Sequence, residues 1–140
     1  MRFERSFVVD APPDRVLGIL TDVERWPTWN RTTRRVEALD GGQPRVGARY
    51  RLEVMGTRTA VWTISRLDDR GFEWKSNVGG VRTVAGHDVA PEGAGTRVQL
   101  WLEQTGWPMK VLGFYVRRVA NRNLDIEMTS LAREASKAAG

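Results

Sequence analysis

Residues 107–137, WPMKVLGFYVRRVANRNLDIEMTSLAREASK, run on after Pro108 with Gly113 as their single internal helix breaker. Projected at about 100° per residue, Met109, Leu112, Val116, Ala120, Leu124 and Leu131 form one apolar stripe. Lys110, Arg117, Arg118, Arg122, Asp125 and Arg133 take the remaining surface. Proline at 108 suits a first turn, where a backbone N–H has no intrahelical partner to lose. The pattern predicts a helix of roughly thirty residues, about 45 Å long. In a 140-residue chain such a helix has to lie across a whole sheet face.

The segment before it, Arg31 to Gln104, reads as strands cut by turn signals. The cuts are Asp40-Gly41-Gly42, Gly56, Asp68-Asp69-Arg70-Gly71, Gly79-Gly80 and Pro91-Glu92-Gly93-Ala94-Gly95. Strand segments of about ten residues predict an antiparallel meander, because parallel strands need helical crossovers. Alternation is clear at Tyr50/Leu52/Val54, Phe72/Trp74 and Val98/Leu100/Leu102. It is weaker around Ala60/Trp62/Ile64, where Val61 and Leu67 fall on the opposite face. In Val81–Ala90 the set Val81/Thr83/Ala85/His87/Val89 is assigned inward, since the other choice would bury Arg82 and Asp88. Near the start, RFERSFVVDA alternates as a half-buried strand does, and Pro12-Pro13 stops it. Val16, Leu17, Ile19 and Leu20 then give a short helix one apolar face, with Asp14 favourably placed near its N-terminus. A second short helical or turn segment, Asp22–Trp29, is broken by Pro27, which bends the pair.

The length predicts one domain, residues 1–140, able to bury a core without staples. Without cysteine there are no disulfides, thiolate metal sites or cysteine nucleophiles. MRFERSFVVDAPPD carries charge where a signal peptide needs an apolar run, and no later stretch approaches membrane-span length. The expectation is a cytoplasmic protein with no stable membrane insertion. A net charge of +5 raises the question of nucleic acid, yet arginine is scattered among 17 acids. The local groupings are Arg31/Arg34/Arg35 and Arg117/Arg118/Arg122, with no zinc-finger, P-loop or basic-aromatic signature beside them. A solvated basic surface is expected, and no nucleic-acid partner.

The order of strand, two short helices, six strands and long helix resembles the SRPBCC/START-like helix-grip superfamily. That group includes START domains, birch-pollen-allergen-like proteins and polyketide cyclase/dehydrase-type proteins, and the likeness is closest to bacterial members of the last. It is carried by Ala11-Pro12-Pro13-x-x-Val16 and Leu20-Thr21-Asp22-x-x-x-Trp26-Pro27-x-Trp29-Asn30, with Gly47 and Gly95-Thr96-Arg97-Val98 opening later strands. The resemblance implies an α+β helix-grip fold, with a curved antiparallel sheet of about seven strands around the C-terminal helix. It also implies a cavity between sheet and helix for lipids, sterols, polyketides or other hydrophobic molecules, often without catalysis. Fold alone does not fix function.

The inward faces nominate Tyr50, Leu52, Trp62, Ile64, Trp74, Thr83, His87 and Leu100 as sheet-side cavity residues. Leu112, Val116, Ala120, Asn123 and Glu127 are the helix-side ones. Trp62 and Trp74 either floor a cavity and stack on a flat ligand or fill the core themselves. Trp26 and Trp29 are expected to plug the gap between short helices and sheet. Trp101 should face outward, and Trp107 should pack where the last helix begins. His87, the one histidine, is either a hydrogen-bonded structural residue or a general acid or base, a task for which histidine exchanges protons near neutral pH. Asn123 and Glu127 stand at i and i+4 inside the apolar stripe. A carboxylate so placed needs water at a cavity mouth or a partner such as Arg66; otherwise the two are polar anchors for a ligand. With one histidine and no Gly-x-Ser-x-Gly or phosphate loop, no metal or other cofactor is expected.

Three readings follow. One is a non-catalytic binder or carrier of a small hydrophobic molecule. Another is a cyclase or dehydratase in which His87 and Glu127 handle protons, Trp62 and Trp74 stack the substrate and Asn123 polarises a carbonyl. The last is a protein-interaction module using Arg117, Arg118 and Arg122.

Overall fold

The computed structural model describes residues 1–137. Strand β1 (Arg2–Val9) leads into helix α1 (Pro13–Thr21), a single 3₁₀ turn (Val23–Arg25) and the short helix α2 (Trp26–Trp29). Strands β2 (Thr33–Ala38), β3 (Arg49–Val54), β4 (Ala60–Asp68), β5 (Gly71–Val78), β6 (Val81–Glu92) and β7 (Gly95–Thr105) follow, and α3 (Met109–Ala135) closes the chain. All seven strands form one antiparallel sheet in the order β1-β7-β6-β5-β4-β3-β2. This is the helix-grip α+β arrangement that the element order implied.

The weak alternation in β4 has a specific cause. The β4–β5 register shifts between Ile64 and Arg66, so Ser65 is an extra residue in the ladder. Ile64 pairs with Trp74 before the shift and Leu67 pairs with Phe72 after it, which returns Leu67 to the buried face. Arg66 is thereby turned to the outer face, where it pairs with Asp88 and lies 3.5 Å from Glu73 and 3.8 Å from Asp68. It is not a partner for Glu127.

Outside the sheet, α1 starts at Pro13 and buries Val16 and Leu20 completely. Trp26 donates its indole Nε1–H to the Leu20 carbonyl at 2.9 Å, tying α2 back to α1. Arg5 on β1 reaches α3 at mid-length, at 2.6 Å from Asp125 Oδ1 and 3.2 Å from Asn121 Oδ1. Arg15 on α1 donates to the carbonyls of Glu134, Ala135 and Lys137, at the helix end where carbonyls run out of helical partners. The C-terminal half of α3 is thus fixed, with Val119, Ala120, Leu124, Leu131 and Ala135 buried.

The N-terminal half is different. Leu112 belongs to the apolar stripe but is exposed, and Trp107 is 70% exposed, leaning its ring over Gly80 and not buried at the helix start as expected. Trp101 does lie on the outer face, under the Arg2 guanidinium and donating to Asp88 Oδ2 at 3.0 Å. A side chain at Gly86 would collide with that indole, which is why β6 has a glycine there.

Candidate ligand cavity

Between the concave face of the sheet and α3 lies a cavity of about 900 Å³. Strand pairing explains its sheet-side wall. The inward residues of β6 are Thr83, Ala85 and His87, and β5 sets Trp74 opposite Ala85 and Phe72 opposite His87. Small alanine facing tryptophan leaves room for the indole, and His87 stacks on Phe72 with ring centroids 4.4 Å apart and planes 11° from parallel. Trp26 meets the same histidine edge-on at 5.3 Å. Trp74 sits 5.4 Å from Trp62 and 5.2 Å from Trp26, so one aromatic layer floors the cavity.

Of the residues nominated from the sequence, Leu52, Trp62, Trp74, Thr83, His87 and Leu100 line the cavity from the sheet. Leu112, Val116, Ala120, Asn123 and Glu127 line it from α3. Tyr50 and Ile64 do not. Both are buried on the concave face, but at the end closed by the 3₁₀ turn and α2, where Val23, Trp26 and Trp29 fill the space. Burial, with the nearby Glu24 carboxylate, pushes the Tyr50 phenol up from its ordinary value.

Two walls had no sequence signal pointing at the cavity. Trp26, expected as a plug, is also cavity wall, with its ring against His87. Thr32 and Thr33 line it where β2 begins, and a cavity-side role for them is not visible in any periodicity. Thr32 is held by the buried Asn30, whose Oδ1 accepts from the Thr32 N–H at 3.1 Å and its hydroxyl at 2.8 Å. An asparagine just after a tryptophan-bounded turn is the signal that could have located this corner.

Beside Thr32, Thr33, Arg58, Ser76, Thr83 and Gln104, the wall carries the polar groups of His87, Asn123 and Glu127. His87 Nε2 lies 3.4 Å from Glu127 Oε1, a close approach that is not a hydrogen bond. The His87 side chain is 5% exposed and that of Glu127 14%. His87 Nδ1 has no hydrogen-bond partner among the described residues. Asn123 donates from Nδ2 to the Met55 carbonyl at 3.1 Å, which staples the β3–β4 loop to α3, and its buried Oδ1 is unpartnered. One donor of the residue expected to polarise a carbonyl therefore serves the chain itself. An imidazole beside a carboxylate in an apolar chamber can hold and relay one proton.

Comparison with known proteins agrees with this geometry. The family described as polyketide cyclase / dehydrase and lipid transport matches residues 1–136. A search of the curated proteins finds no match. Among solved structures, the Zhui aromatase/cyclase from Streptomyces sp. R1128 is 22% identical, with TM-score 0.83 over 100% of this chain and 98% of that one. TTHA0849 from Thermus thermophilus is 22% identical, with TM-score 0.77 over 98% of this chain and 100% of that one. A START superfamily protein from Mycobacterium smegmatis is 17% identical, with TM-score 0.74 over 96% of each chain. Likeness at these identities is likeness of fold.

Proposed function

The chain belongs to the polyketide cyclase / dehydrase and lipid transport family, and from that premise we propose that it binds a small hydrophobic molecule between its sheet and α3. The carrying observation is the volume: about 900 Å³ stays open although Trp26, Trp62 and Trp74 all stand on its wall. Largely apolar clefts and cavities of roughly 300–1,000 Å³ with convergent polar groups are the usual form of small-molecule sites. The aromatic floor favours a flat, ring-bearing molecule over a saturated chain, since ring faces and edges pair best with other rings. His87, Glu127 and Asn123 would orient its polar end.

The test is a thermal-shift panel of fatty acids, sterols and polycyclic aromatics with the purified protein. Stabilisation by the polycyclic set is expected, because a ligand that binds the folded state alone raises Tm. No shift with any class would overturn the reading.

A second reading rests on the 3.4 Å approach of His87 and Glu127. The pair would take a proton from a carbon acid of the bound molecule and deliver it to a departing hydroxyl, releasing water and leaving a carbon–carbon double bond. That dehydration needs no redox partner. Its support is the position of both groups on the wall of one chamber, and turnover of a hydroxy-ketone would test it.

A further inference from the structure

Three segments meet at the end of the cavity towards the start of α3: the β3–β4 loop, the β5–β6 hairpin and the first turns of α3. Tyr115 donates its hydroxyl to the Gly56 carbonyl at 3.4 Å, Arg122 packs against Gly56, and Trp107 packs against Gly80. The outer surface of α3 here is apolar. Trp107 is 70% exposed, Val111 76% and Phe114 80%, with Tyr115 and Leu112 beside them. Val111, Phe114 and Tyr115, at i, i+3 and i+4, share one side of α3, and Trp107 stands in the turn just before it.

The three segments that build this end carry charge of one sign. Residues 54–60, 78–81 and 106–123 carry Arg58, Lys110, Arg117, Arg118 and Arg122 and not one aspartate or glutamate. All five cations are exposed, and none forms an ion pair among the described residues. Among the described residues six other arginines are paired, as Arg49 is with Asp40 and Arg51 with Glu37.

We infer that this end of the molecule docks on an anionic phospholipid surface, with Trp107, Val111 and Phe114 in the headgroup region and the five cations over the lipid phosphates. Exposed aromatic and aliphatic side chains flanked by Lys and Arg are the composition that settles at a bilayer interface. Among the described residues no helix is long and apolar enough to cross a membrane, so the contact is peripheral. A second copy of the chain is a poorer occupant, because a two-fold contact on this face would set cations against cations with no carboxylate to answer them. The docked face is also the cavity's end, so a lipophilic molecule could pass between bilayer and chamber without crossing water. The inference stands whatever molecule the chamber takes.

The test is co-sedimentation of the full chain with vesicles of phosphatidylcholine alone and of phosphatidylcholine mixed with phosphatidylglycerol. Binding to the anionic vesicles that weakens as salt is raised is expected, with little binding to phosphatidylcholine. Phe114→Asp, and separately Arg117→Glu with Arg118→Glu, should each cut partitioning about tenfold or more. Val111→Ser is a milder second variant, and unchanged Tm and unchanged uptake of a lipophilic probe in free solution would show the fold and chamber intact. Failure of the wild type to sediment with anionic vesicles at low salt, or variants that partition as the wild type does, would overturn the proposal. So would a wild-type dimer that Phe114→Asp dissociates, since a second copy would then be the occupant.

Discussion

His87 on β6 and Glu127 on α3 meet across the cavity, Nε2 to Oε1, at 3.4 Å. Sheet and helix therefore present an imidazole and a carboxyl group to the same cavity. The arginine nearest in sequence logic, Arg66, is held on the far side of the sheet by Asp88, Glu73 and Asp68. Glu127 thus faces the histidine without a competing cation from Arg66.

Replacing Glu127 with Gln keeps the side chain's shape and removes its charge. The contact with His87 lacks hydrogen-bond geometry, so urea denaturation is expected to show a stability change within about 1 kcal/mol. If the pair relays protons, turnover of any substrate should fall by about 100-fold or more while ligand affinity holds. Equal losses in affinity and turnover would assign Glu127 to binding alone.

Trp74 and Trp62 should separate stability from binding. Trp74 is 2% exposed and packs against Trp26, Phe72, Trp62 and Tyr50. Trp74→Ala is expected to cost about 3–5 kcal/mol in urea denaturation. Trp62 is only partly buried and lines the chamber, so Trp62→Ala should cost about 1–2 kcal/mol and weaken ligand binding more than it weakens the fold. Equal stability costs would contradict this division.

On the outer face, Gly86→Ala should drive a methyl group into the Trp101 indole. A loss of about 1–3 kcal/mol is expected from overpacking. The double variant Gly86→Ala, Trp101→Ala should cost less than the sum of the two singles, because the clash is shared. Additive costs in thermal or urea denaturation would mean that strand and ring do not meet there.

Tyr50 sets an alkaline limit. Its phenol is pushed above the ordinary value of 10.0 first by burial and then by Glu24. A group whose folded-state value is raised contributes stability that is complete below the unfolded value and is lost as pH rises through the folded one. Tm should therefore fall as pH passes 10.0, and Tyr50→Phe should fall less over the same range. Parallel declines would place the titrating group elsewhere.

Most of the architecture was legible because it depends on period and punctuation. The stripe from Met109 to Leu131 and the Gly/Asp turns each report one local fact, and the observed elements follow them. The inward set on β6 was readable because the alternative placed Arg82 and Asp88 in the core. Leu67 was assigned to the wrong face because one extra residue, Ser65, inverts the alternation without leaving a glycine or proline to mark it. Tyr50 and Ile64 were assigned to the cavity because alternation tells which face a residue takes and not how far along the strand a covering helix reaches. Trp26 comes to the chamber from a distant part of the chain, and no periodicity reports such a meeting. Leu112 was placed on the buried stripe for the same reason, since helical period alone does not tell where along α3 the cover of the sheet begins.

The most direct measurement is fluorescence titration of the purified protein with a neutral, flat fluorophore such as N-phenylnaphthylamine, run beside Ala120→Trp. Ala120 is buried on α3 and lines the chamber, so an indole there would occupy ligand space. Saturable one-to-one binding by the wild type, with energy transfer from the floor tryptophans, and binding at least about tenfold weaker in a folded Ala120→Trp variant, are expected. Absence of saturable binding, or equal binding by a folded Ala120→Trp variant, would contradict the reading of this chamber as a ligand site.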